Sequence, residues 1–82
     1  MDMVTETVAQ KIERFKLRAE LFLRKEGPVF IIDSMNNWHS CYILDINEDD
    51  IKVKEFSGKL TGQINEINWV DIIKFEEFRG RV

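Results

Sequence analysis

The chain has 82 residues, 44% of them hydrophobic and 33% charged, with a formal net charge of −3. That length holds one domain, residues 1–82, which hides only about 60% of its unfolded surface when it folds alone; the composition excludes both a disordered and a membrane-embedded chain. The longest apolar run, Val29 to Ile32, is too short to span a bilayer, no charged-then-apolar leader is legible, and the single Cys41 suits a reducing compartment, so the expected location is the cytoplasm.

In chain order, the first segment predicts a helix over about residues 5–26. Val4, Val8, Ile12, Phe15, Ala19, Phe22 and Leu23 recur at steps of three and four and define its core face. Thr7 with Gln10 matches a capping box, although Asp2 or Thr5 offers an earlier start. Arg24 and Lys25 suit the last turn, Gly27 suits a left-handed cap, and Pro28 cannot continue the helix.

Beyond Pro28 the pattern becomes strand-like, rich in β-branched and aromatic residues between turn formers. Four or five strands are expected, at Pro28 to Asp33, Trp38 to Ile46, Ile51 to Phe56, Gln63 to Trp69 and, as a short fifth, Ile72 to Phe78. The connections are Ser34 to Asn37, Asn47 to Asp50, and a turn or mobile loop around Ser57-Gly58-Lys59 and Gly62. Alternation breaks at Asn68-Trp69-Val70-Asp71-Ile72, which a single helical turn explains. The expected fold is therefore mainly β with one N-terminal α-helix, the strands closing into a five-stranded small barrel over about residues 28–79.

Charge is segregated. Residues 1–26 carry six basic and five acidic side chains, and residues 27–82 carry six and ten. Lys11, Arg14, Arg18 and Lys25 fall within about 60° on a helical wheel, while Glu6, Glu13 and Glu20 repeat every seventh position on another face. Such a cationic row suits phosphate contact, and it equally suits a solvated face supported by pairs such as Glu20 with Arg24. Leu17 and Leu21 lie away from the apolar arc and imply a second contact surface. Trp38, Tyr42 and Leu44 share one face of the second strand, as a platform for bases or as a covered contact. His39, Cys41 and Ile43 share the other.

Catalytic and metal signals are weak. Asp45-x-Asn47-x-Asp49 opens like a calcium loop, but Asp50 stands where glycine is required and Phe56 where a bidentate glutamate belongs. His39 and Cys41 lack further nitrogen or sulfur ligands, and neighbours on one strand face lie about 7 Å apart, too far for a nucleophile and its base. No phosphate loop, nucleophile elbow or carboxylate pair is legible, so neither an enzyme nor a metal or cofactor site is expected.

The helix before Pro28-Val29-Phe30-Ile31-Ile32, the strand Cys41 to Ile46, the return Ile51-Lys52-Val53 and the stretch Ile67 to Ile72 together resemble the Sm-like (Lsm/Hfq-like) superfamily of small β-barrels, over about Ile12 to Phe78. The resemblance implies a homo-oligomer and an RNA ligand or RNA-processing partners. It points to Asn68 and Trp69 as base contacts, a buried Trp69 that closes the barrel being the equal alternative, while the helix row Lys11, Arg14, Arg18 and Lys25 would take the phosphates. It also puts Cys41 where the family often bends its second strand at glycine, and an acidic turn, Asp45 to Asp50, where the family often holds uridine. The competing expectation is a protein-interaction or structural module on an SH3-like barrel, with Leu17, Leu21, Trp38 and Tyr42 as its partner surface.

Overall fold

The computed structural model describes residues 6–80, so Asp2, Val4 and Thr5 lie outside the described residues. The helix α1 runs Val8–Lys25 and begins three residues later than expected, because Thr7 is the cap. The Thr7 hydroxyl accepts from the Gln10 N–H at 3.1 Å, and the Gln10 side chain accepts from the Thr7 N–H at 2.9 Å, satisfying two orphan donors reciprocally.

At the other end the left-handed residue is Glu26, at φ 53°, and not Gly27. The Glu26 and Gly27 N–H groups return to the Leu23 and Phe22 carbonyls. Gly27 lies against the Phe22 ring, where a Cβ would sit 3.6 Å from Cδ1. The turn out of the helix thus falls one residue earlier than the glycine suggests.

Five antiparallel strands follow: β1 Pro28–Asp33, β2 Trp38–Ile46, β3 Asp50–Glu55, β4 Ile64–Asn68 and β5 Ile72–Glu77. Their order in the sheet is β4-β3-β2-β1-β5. The expected loop after β3 contains a 3-10 turn, Gly58–Leu60, and a second 3-10 turn, Trp69–Asp71, joins β4 to β5. That second connection fixes the shape. A flat sheet would hold its two edges four strand spacings apart, about 19 Å, whereas three residues of 3-10 helix rise about 6 Å. The sheet must therefore curl until β4 and β5 approach each other. The ladder slips between Ile43 and Asp45 against β3 and between Ile32 and Asp33 against β5. The bend in β2 accordingly sits at Leu44 and not at Cys41, which stays in register opposite Val29 and Glu55.

The concave face carries the core: Val29, Ile31, Cys41, Ile43, Ile51, Val53, Ile67, Ile72 and Phe75. Helix α1 contributes Phe15 and Ala19 to that core, with Ile12 and Phe22 partly buried beside them. Phe15 and Phe22 set their rings 6.0 and 6.2 Å from Phe75. Val8 and Leu23, expected on the core face, are exposed. Trp69 is 2% exposed. Its indole N–H donates to the Asn47 carbonyl at 2.9 Å and its backbone N–H to Asp49 at 3.0 Å, which ties the last 3-10 turn to the β2–β3 hairpin.

Candidate functional site

Chemistry-bearing side chains gather most tightly around the only histidine. His39 faces inward, paired in register with Ile31, so Asp33 lies diagonally on β1 and Glu55, opposite Cys41, lies diagonally on β3. Diagonal neighbours are within reach of long side chains. His39 Nε2 is 2.9 Å from Asp33 Oδ2 and His39 Nδ1 is 3.0 Å from Glu55 Oε2. Asn65 of β4 donates its amide to the same Glu55 oxygen at 3.3 Å. The other oxygen, Glu55 Oε1, is buried without a partner among the described residues.

Asp33 also organises the hairpin before His39, its Oδ1 accepting from the backbone N–H groups of Met35 and Asn37. One imidazole thereby connects β1, β2 and β3, and through Asn65 reaches β4.

Two carboxylates flanking one ring favour the doubly protonated imidazolium, the form that donates at both nitrogens. Burial works against that charge most strongly, but the hydrogen bonds to Asp33 and Glu55 and their charges outweigh it, so the His39 pKa is raised. For Asp33 burial again pushes upward, yet the bonds from His39, Asn37 and Met35 prevail and lower its pKa. Burial, with a smaller contribution from the Glu55 charge, pushes the Cys41 thiol upward, so it stays protonated. A cleft of about 200 Å³, lined by Asp33, Ser34, His39, Asn65, Glu66 and Asp71 among others, reaches this cluster from outside. The arrangement can hold a proton between ring and carboxylates.

Periodicity offered one clue to the cluster, since continuing Ile51 and Val53 by two puts Glu55 on the inward face. It gave no sign of which side chains would meet it there.

The residues expected to contact nucleic acid are partly committed elsewhere. Arg14 makes a two-pronged ion pair with Glu6, at 2.9 and 3.0 Å, and lies over the Phe15 ring at 4.9 Å. Arg18 donates to the Phe75 carbonyl at 2.7 Å. Lys11 lies 5.7 Å from the Phe15 centroid, and Lys25 is exposed. Asn68 is exposed, but Trp69 fills the core and presents no face for a base, which corrects the stacking role expected of it. Asp45, Asn47 and Asp49 lie at the end of β2 and in the following turn, where the Asn47 amide donates to Asp50 at 2.7 Å.

The expected partner residues are more available. Leu17 is 61% exposed, Leu21 46% and Trp38 66%, while Tyr42 is half-buried. Trp38 meets Phe30 edge to face on the convex side of the sheet, where Tyr42, Phe56 and Phe78 form a second aromatic group. Leu44 is also exposed, so within one copy the second strand is not covered on both faces. A groove of about 480 Å³ between α1 and β5 is lined by Arg18, Phe22, Glu76, Glu77 and Arg79.

No family model matches the chain, and no curated protein matches it.

Proposed function

We propose that the chain is an Sm-like or SH3-like small barrel that works as an assembly module, binding protein, including copies of itself, in preference to polynucleotide. The observation that carries this reading is the placement of its large apolar side chains. Leu17, Leu21 and Trp38 stand outside the core, while two of the four cations in the row are used within the molecule by Glu6 and the Phe75 carbonyl. Strand order supports the barrel class, with the edge strands joined by one 3-10 turn and the N-terminal helix packed over the core. An acidic total supports the choice of partner, because polyanion binding draws on net positive surface. The thiol of Cys41 is buried and free, in keeping with a reducing compartment.

Sedimentation of the purified chain, together with titration of short uridine- and adenine-rich oligonucleotides at about 50 mM salt, tests the reading. Concentration-dependent association without oligonucleotide binding is the expected result. A monomer that binds oligonucleotide with steep salt dependence, lost on Lys11→Glu with Arg18→Glu, would replace it with the RNA reading.

A further inference from the structure

The outward face of α1 carries a pattern that specifies how two copies meet. At about 100° per residue, Leu17 and Leu21 lie opposite Phe15 and Ala19, which face the core. They belong to a seven-residue register whose seam is Gln10, Arg14, Leu17, Leu21 and Arg24. One flank of that seam is Lys11, Arg18 and Lys25. The other, within the helix, is Glu13 and Glu20. Each flank has a single sign of charge.

We infer that α1 pairs with α1 of a second copy in parallel and in register, through Leu17 and Leu21, a mode that rests on the assembly reading above. Flanking charges decide the orientation. In a parallel pair each acidic flank meets the partner's basic flank, five residues further along, so Glu13 faces Arg18 and Glu20 faces Lys25 in both directions across the two-fold axis. In an antiparallel pair like flanks meet, cation on cation and carboxylate on carboxylate. The Arg14 guanidinium is drawn off the seam by Glu6 and the Phe15 ring, leaving the two leucines uncovered. Arg18 spends one N–H on the Phe75 carbonyl and keeps others for a carboxylate. Arg24, at the end of the seam, is long enough to carry its charge to solvent. Because the core lies behind the helix, the two rolled sheets fall on the outer sides of the pair.

The test uses the full chain and the exposed pair Glu20 and Lys25. Glu20→Lys and Lys25→Glu are each expected to weaken self-association at least about tenfold. An equimolar mixture of the two variants is expected to recover it, since both cross-pairs are attractive again. For orientation, Leu17→Cys and Leu21→Cys are each expected to cross-link to themselves on oxidation, because parallel in-register helices place both positions beside their own copies. Circular dichroism checks that each variant stays folded. Wild-type association that neither charge variant weakens would remove the helix as the interface while leaving the assembly reading intact. Self-cross-linking at only one of the two positions would overturn the parallel orientation. A wild-type chain that is monomeric throughout would remove both.

Discussion

At the scale of single residues, His39 carries the most consequence, because a buried ring held between two carboxylates couples stability to pH. Its pKa is raised in the folded chain, so its contribution is complete below the ordinary histidine value of about 6.5 and is lost as pH rises through the folded value. Asp33 has a lowered pKa, so its contribution is present above the ordinary aspartate value of about 3.9 and is lost as pH falls through the folded value. Stability should therefore be greatest from about pH 4 to 6.5, measured as the urea midpoint across pH. Since this is the only histidine, its ring resonances in proton NMR need no assignment. They should titrate above the ordinary value, and Glu55→Gln should bring the midpoint down. His39→Leu leaves carboxylates facing a buried apolar group and should cost about 3–5 kcal/mol at neutral pH. An unchanged urea midpoint would show that the cluster contributes nothing to the fold.

Among the elements, the helix shows how local rules and packing share the outcome. Its start obeys the capping chemistry of Thr7 and Gln10, but its exit forces Glu26 into the left-handed region, where a side chain costs roughly 1–2 kcal/mol. Glycine there removes the clash and gives back part of the gain as unfolded-state entropy. Glu26→Gly should thus stabilise the chain by about 0.5–1 kcal/mol, a rise of a few degrees in the thermal midpoint for a domain of this size. A fall in Tm would mean that the Glu26 side chain makes a contribution larger than its strain. Strand β2 shows the same division. Alternation places His39, Cys41 and Ile43 on the buried face as expected, yet the bend lies at Leu44, because the slip against β3 arises where the curling sheet needs an extra residue.

For the molecule as a whole, the connection between the two edge strands is anchored by Trp69, which fills the core and bonds back to the turn before β3 through its indole N–H and its backbone. Trp69→Ala should cost about 3–5 kcal/mol, a large share of the total for a small domain, and should lower the denaturant midpoint accordingly. A substitution that instead left stability unchanged and altered ligand binding would restore the tryptophan to a contact role. What sequence by itself determined was the list of elements: one capped amphipathic helix, five strands within a residue or two of their ends, and the 3-10 turn before β5. Those follow from periodicity and turn chemistry, which act between near neighbours. Only the tertiary structure decided which polar groups meet. The Asp33–His39–Glu55 cluster joins three strands, and the Arg18 bond to Phe75 spans the chain from helix to last strand. Such pairings depend on how far the sheet curls and on ladder register, quantities set by the sum of all contacts and legible in no single segment.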